Sequence, residues 1–161
     1  MTKDKRSKKL ALVAHCILNQ NSRVSGLAER SSSITEIIEF LTQNGIGIIQ
    51  MPCPELVYAG ILRPSKTKEQ YDNATFREQC RKIAKKLANQ IQEYEKGGIK
   101  LKLVIGVDGS PSCGVSETSG ILMEELRSVL AEKRISAPFH GICYERLKED
   151  ITKLEKSIKT A

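Results

Sequence analysis

Short apolar runs alternate along this chain with longer stretches in which apolar residues recur every three or four positions. The runs at residues 10–14, 45–51 and 101–107 are typical of strands buried on both faces, and a shorter fourth strand is predicted within residues 137–142. Helical patterns occupy the intervals between them. Because such alternation gives parallel sheets with right-handed crossovers, the sequence predicts a small doubly wound, Rossmann-like α/β fold. We expect a parallel sheet of about four strands with helices on both faces.

The predicted helices have recognisable ends. Ser33 and Glu36 form a capping box ahead of the first helix, and Thr75 and Glu78 form another ahead of the longest one. The longest helix ends at Gly97 and carries one apolar stripe, formed by Phe76, Cys80, Ile83, Leu87, Ile91 and Tyr94. Two later helices are expected around residues 122–130 and 144–158.

The composition fits one globular domain. With 161 residues and 40% hydrophobic content the chain can bury a substantial core, and we assign residues 10–161 to a single α/β domain. Residues 1–9 are basic and are expected to form a disordered leader. No apolar run is long enough to span a bilayer, and no signal-peptide pattern follows the N-terminus. We therefore expect a cytoplasmic protein without membrane contact, and a homodimer is left open.

The net charge of +7 is only a weak indication of nucleic-acid binding. Much of it lies in the leader and on helix faces that are expected to be solvated, such as residues 81–86. Aromatic residues make up 4% of the chain and Trp is absent, which leaves few side chains on which bases could stack. Nucleic acid is therefore not an expected partner.

Three cysteines lie in the segments that follow three different predicted strands. Cys16, Cys53 and Cys113 each stand just past a buried apolar run. The carboxyl ends of parallel strands lie along one edge of a sheet, so these thiols are expected to converge. Thiolates bind soft metals, which points to an iron–sulfur, zinc or copper site. The plainer alternative is that each Cys is a small buried hydrophobe.

The other two cysteines are interpreted differently. Cys80 falls on the apolar stripe of the longest helix and is expected to pack in the core. Cys143 follows the fourth strand and could reach the same edge, so its contribution to the site is left open. The chain has no Cys-x-x-Cys pair, which argues against a zinc ribbon or a thioredoxin-like dithiol.

Polar residues in the same loops could supply chemistry. Glu55 could act as a general base or acid beside a metal, and Ser110 and Ser112 could donate hydrogen bonds to a substrate. Arg23 and Arg63 could bind an anion or a carbonyl-rich ring through their planar guanidinium groups. Each has a plainer interpretation as a turn residue or a solvated side chain.

Taken together, these motifs resemble the 2-thiouracil desulfurase family. The resemblance is carried by Ala-His-Cys at residues 14–16, Cys-Pro-Glu at 53–55, Gly-x-x-Arg at 60–63 and Ser-Pro-Ser-Cys-Gly at 110–114. It runs from the first strand to Gly114. The segments Cys-Ile-Leu-Asn-Gln-Asn-Ser-Arg-Val at residues 16–24 and Gly-Val-Asp-Gly-Ser-Pro-Ser-Cys-Gly at 106–114 look like those of a related branch of desulfidases. Because the first loop, residues 17–24, differs from that of the best-known members, the substrate need not be thiouracil itself.

The resemblance implies a desulfidase that depends on a 4Fe–4S cluster. Cys16, Cys53 and Cys113 would bind three of its irons, and the fourth iron would be open to capture the sulfur of a small thiolated compound, such as a nucleobase or nucleoside. Glu55 matches the position that activates water or relays protons, and Ser110 the position that contacts substrate. The sulfur would leave as hydrosulfide.

Two other functions fit the residues. One is a non-catalytic iron–sulfur or zinc-binding module that senses metal or redox state and contacts RNA through its basic surface. The other is an α/β interaction domain in which the thiols are only packed.

Overall fold

A computed structural model describes residues 3–160, and its centre is one four-stranded sheet. The strands are β1 (Lys9–Ala14), β2 (Gly47–Met51), β3 (Lys100–Val107) and β4 (Phe139–Ile142). Their order is β2-β1-β3-β4, and every neighbouring pair is parallel. The predicted α/β fold with a parallel sheet is therefore confirmed.

The helices fill the connections between strands and follow the last one. Short helices near the strand ends are α1 (His15–Leu18), α3 (Pro54–Ala59) and α4 (Lys68–Tyr71). The longer helices are α2 (Thr35–Gln43), α5 (Ala74–Lys96), α6 (Ile121–Glu132) and α7 (Leu147–Thr160). Single 3₁₀ turns occupy Gln20–Ser22 and Tyr144–Arg146.

Helices cover both faces of the sheet. The chain moves outward from β1 to β2 and back across β1 to β3, so right-handed crossovers put α2 and α5 on opposite faces. On β4, the Phe139 ring lies under the Arg127 guanidinium of α6, at 4.0 Å from Cζ to the ring centroid. The next residue, His140, lies within electrostatic reach of Lys153 on α7, and burial together with the Lys153 ammonium lowers the His140 pKa. Since successive strand residues point to opposite faces, α6 and α7 also lie on opposite faces.

The core forms between the sheet and these helices. Residues 11–14 of β1 are completely buried, as expected for a central strand covered on both faces. The long helix buries Phe76, Cys80, Leu87 and Ile91, whereas Ile83 is half-buried and Tyr94 lies at the exposed margin of the predicted stripe. The stripe therefore faces the core over most of the helix.

Both predicted capping boxes are wrong. The first helix begins at Thr35, with Ile34 at its N-cap and no side-chain capping bond. The longest helix is capped by the Asn73 side chain, which accepts the Phe76 N–H at 2.9 Å. Asn is as good an N-cap residue as Thr. Asn73 also lies one turn before Phe76, the first buried aromatic residue of this helix, so the helix begins where the packing of Phe76 in the core requires it.

Among residues 3–160, no helix is long and apolar enough to cross a bilayer. The predicted leader begins with Met1 and Thr2, which lie outside the described residues. At its other end the Lys8 carbonyl accepts the Lys100 N–H at 2.9 Å, and Lys9 starts β1. Disorder of the leader stays a prediction.

Candidate functional site

A cavity opens at the carboxyl edge of the sheet, between the ends of β1 and β3. It has a volume of about 220 Å³ and is lined by residues that follow β1, β2 and β3. In open parallel sheets ligands bind where the strand order reverses, and that point here lies between β1 and β3. All three predicted strand-end cysteines, Cys16, Cys53 and Cys113, line this cavity.

Two of these thiols are presented by short helices. Cys16 is the second residue of α1, and its carbonyl accepts the Gln20 side-chain amide at 2.6 Å. Cys53 is the N-cap of α3, where its Sγ accepts the Leu56 N–H at 3.5 Å and Pro54 supplies the first helical residue. Both thiols are half-buried. Local helix formation at the strand end therefore aims each sulfur at the cavity.

The third thiol is held by a tightly packed loop after β3. The Ser110 Oγ accepts the Cys113 N–H at 3.0 Å and the Ser112 N–H at 3.3 Å, which folds the loop back on itself. A Cβ at Gly106 would overlap the Cys113 carbonyl oxygen, and one at Gly120 would overlap the Ser112 backbone. The loop that carries Cys113 is thus fixed by direct backbone packing.

The three thiols influence one another. Burial raises the pKa of Cys113 well above its ordinary value, and Cys16 and Cys53 add to the rise. Burial also raises the pKa of Cys16. The Arg23 guanidinium partly offsets this rise, and Cys53 adds to it. The pKa of Cys53 is raised by burial as well. The sulfurs are therefore within electrostatic reach of one another and are held as neutral thiols near pH 7.

The arrangement is not that of a mononuclear metal site. Over the described part of the chain, no three His, Cys, Asp or Glu side chains gather closely enough to hold a single ion. The three free thiols instead line the wall of one cavity from separate directions.

Glu55 is the buried carboxylate of the site. Its Oε2 accepts the Ser112 hydroxyl at 2.6 Å, and its Oε1 lies 3.7 Å from the Arg63 Nε. The Glu55 and Arg63 side chains are only 11% and 3% exposed. A buried carboxylate needs such partners, because an uncompensated buried charge is strongly destabilising.

The predicted substrate-binding residues have different surroundings. Arg63 is anchored, because its guanidinium also donates to the Ser22 carbonyl at 2.8 Å and the Gly60 carbonyl at 3.1 Å. Arg23 is half-buried in the cavity wall beside Cys16. Ser112 is 1% exposed and faces Glu55, whereas the Ser110 hydroxyl supports the loop backbone. All of these residues line the cavity.

The remaining cysteines lie elsewhere. Cys80 is completely buried in the core, as predicted, and burial raises its pKa to about 12. Cys143 is half-buried, does not line the cavity, and donates from Sγ to the Glu145 carboxylate at 2.8 Å. The cavity thus includes three of the five cysteines.

Two residues that build the site were not found from the sequence. Gln20 is 3% exposed and joins the Cys16 carbonyl to the Glu29 N–H, at 2.6 and 2.8 Å. Lys66 is exposed at the cavity mouth, with its Nζ 5.7 Å from the centroid of the Tyr71 ring. Gln20 belongs to the first-loop segment at residues 17–24, but nothing in that segment marks it as a buried residue, and Lys66 belongs to no motif. Only tertiary contacts reveal their positions.

Comparison with known proteins identifies the family of this chain. The family model described as putative 2-thiouracil desulfurase matches residues 8–155. An uncharacterized protein of Methanocaldococcus jannaschii is 39% identical over 154 residues, which cover 96% of this chain and 97% of that protein. No solved structure matches the chain significantly. The matched region includes every strand and every residue of the cavity, so this chain belongs to the putative 2-thiouracil desulfurase family.

Proposed function

We propose that this protein is a desulfidase that removes sulfur from a small thiolated compound as hydrosulfide, using a 4Fe–4S cluster held by Cys16, Cys53 and Cys113. The observation that carries the proposal is the convergence of three free thiols, from the ends of three strands, on one cavity that also contains a buried carboxylate. Family membership supports the reaction class.

The donor set fits a cluster better than a single ion. Thiolates are the usual ligands of iron–sulfur clusters, and binding to the metal deprotonates thiols that burial otherwise keeps neutral. Three thiols around a cavity wall suit a group with several metal atoms, whereas a zinc ion needs its ligands around one point. When bound, the cluster would supply a Lewis-acidic iron without a protein ligand, which can take the sulfur of a thiocarbonyl.

The chain's own residues would handle water and protons. Overall, a C=S bond and one water become a C=O bond and hydrogen sulfide, which ionises to hydrosulfide. The Glu55 carboxylate would accept a proton from the attacking water, and Ser112 would hold the carboxylate through their 2.6 Å hydrogen bond. Ser110 would contact the substrate. Arg23, at the cavity wall, would orient a carbonyl of a nucleobase or nucleoside.

The test is sulfide release from 2-thiouracil and from thiolated nucleosides by protein reconstituted with iron and sulfide under anaerobic conditions. Wild-type protein should produce the oxygen analogue and hydrosulfide in equal amounts. Glu55→Gln should retain the cluster absorption but lose about 100-fold or more in rate, because general bases contribute at least that much. Glu39→Gln, on the exposed face of α2, is the matched control and should retain full activity. Full activity of Glu55→Gln, or no turnover of any thiolated substrate by wild type, would contradict the proposal.

A further inference from the structure

Gln20 has a polar side chain buried inside the loop that forms one wall of the cavity. This loop, residues 19–32, lies between α1 and α2. Four of its residues line the cavity: Ser22, Arg23, Val24 and Leu27. Gln20 is 3% exposed, and the other buried residue of the loop, Ser22, is also polar. Because the loop buries no apolar side chain, its conformation depends on hydrogen bonds.

Gln20 joins the two ends of this loop at one point. Its side-chain Nε2 donates to the Cys16 carbonyl at 2.6 Å. Its Oε1 accepts the Glu29 N–H at 2.8 Å and the Arg30 N–H at 3.4 Å. Its backbone N–H donates to the Ser32 carbonyl at 2.6 Å. One residue thus ties the start and the end of the loop to Cys16, at the carboxyl edge of the sheet.

The Gln20 side chain takes a place that a longer helix would give to the backbone. If α1 continued, the backbone N–H of Gln20 would donate to the carbonyl of Cys16, four residues earlier. Here that N–H is bonded to Ser32, and the side-chain amide of the same residue satisfies the Cys16 carbonyl instead. The helix α1 can therefore end after one turn, and the chain can leave the sheet edge to form the cavity wall, without leaving this carbonyl unpaired.

We propose that Gln20 is a positioning residue that fixes the loop of residues 19–32 as the substrate-facing wall of the cavity. The proposal rests on the function proposed above. This loop carries Arg23, which would orient a substrate carbonyl, so the position of Arg23 depends on the hydrogen bonds of Gln20. A glutamine suits the role because its uncharged amide both donates and accepts. Without it, the substrate would have to order the wall as it binds, which weakens binding and leaves the reacting groups unchanged.

The first test is the steady-state kinetics of Gln20→Met in the reconstituted enzyme. Methionine fills a similar space but cannot make these hydrogen bonds. We expect KM to rise about 10-fold with kcat within about twofold, because the variant loses binding to substrate and transition state alike. Gln43→Met, the same change at the exposed last residue of α2, is the matched control. An unchanged KM, a fall in kcat alone, or an equal effect of Gln43→Met would overturn the proposal.

The second test does not depend on turnover. Amide hydrogen exchange of the full chain is measured before cluster assembly for wild type, Gln20→Met and Gln43→Met. In Gln20→Met, exchange of the Glu29 and Arg30 amides should be about 10-fold faster, because both lose their acceptor, whereas the Ile105 amide in β3 should keep its wild-type rate. Unchanged exchange at Glu29 and Arg30 would refute the role of Gln20 in holding the loop. Faster exchange without sulfide release from wild type would instead locate the failure in the proposed reaction.

A second variant keeps both tests decisive if Gln20→Met does not fold. Gln20→Asn retains an amide but is one methylene shorter, so it cannot reach Cys16 and Glu29 together. It should show the same rise in KM and the same faster exchange. Wild-type values of both in Gln20→Asn would contradict the proposal.

Discussion

At the scale of single residues, the site depends on charge compensation in a small buried volume. Arg63 joins the loop after β1 to the segment after α3 and is the ion-pair partner of Glu55. Lysine could not replace it, because one ammonium cannot present the fork of donors that reaches two carbonyls and a carboxylate.

Arg63→Ala should lower the free energy of unfolding by roughly 3–5 kcal/mol, since it leaves Glu55 buried without its cation. The matched control is Arg6→Ala. Arg6 pairs with Asp4 at 3.1 Å, but their side chains are 66% and 59% exposed, so solvent screens the pair and its removal should leave the free energy of unfolding nearly unchanged. Urea unfolding at neutral pH measures both. Equal small losses would show that the buried pair contributes nothing.

Asp108 gives the loop after β3 a pH-dependent anchor. Burial alone would raise its pKa, but hydrogen bonds from the Ser116 and Val115 N–H groups and from Arg146 more than offset this, and the pKa lies below its ordinary value. The carboxylate also covers Gly141, where a Cβ would overlap it.

Because the folded-state pKa is lowered, the stability that Asp108 contributes is complete above the unfolded-chain value near 3.8 and is lost as pH falls through the lower folded value. Asp108→Asn should therefore be less stable than wild type at pH 6, and the difference should shrink toward pH 2. Thermal unfolding across this range measures it. A difference that stays constant with pH would assign the effect to packing rather than to charge.

At the scale of elements, the β3 strand and its following loop form one packed unit. Gly106 lies within β3, and Gly120 is the N-cap residue of α6. Both are required by close approach of the loop backbone rather than by a turn.

Gly106→Ala should displace the Cys113 loop, destabilise the protein by about 1–3 kcal/mol and reduce iron binding. Gly97→Ala, where a Cβ would make only ordinary contacts, should leave both properties nearly unchanged. Urea unfolding and iron analysis of the two variants provide the comparison. Normal iron content in Gly106→Ala would mean that the loop tolerates the shift.

The sequence predicts the elements better than their ends. Apolar runs identify β1, β2 and β3 within one or two residues, because a strand covered on both faces has few polar positions, and the shorter fourth strand is predicted within two residues of β4. The cap of α5 is predicted wrongly because Thr75 and Glu78 match the capping-box pattern, although the helix begins earlier, with Asn73 as its N-cap. The real capping box, Thr67 with Gln70, starts a four-residue helix that is too short for any periodic pattern.

At the scale of the whole molecule, the parallel topology explains why distant cysteines meet. Cys16, Cys53 and Cys113 could be predicted because each lies in the segment that follows a strand, and the strand order places those strand ends at one edge. Gln20 and Lys66 could not be predicted, because their positions depend on how loops and short helices pack across the sheet edge.

The fold also gives the five cysteines different surroundings. The cavity thiols interact electrostatically, since Cys16 and Cys53 raise the pKa of Cys113. Cys80, on α5, is buried in the hydrophobic core, and Cys143 donates a hydrogen bond to Glu145 outside the cavity. We therefore expect the same Cys→Ser substitution to have different effects on iron content at a cavity cysteine and at Cys80.

The most direct test is the iron and acid-labile sulfide content of protein purified without oxygen, for wild type, Cys113→Ser and Cys80→Ser. We expect about four irons per chain with the visible absorption of a cluster in wild type and in Cys80→Ser, and loss of both in Cys113→Ser. Colourless wild-type protein, or a cluster that survives Cys113→Ser and disappears in Cys80→Ser, would contradict it.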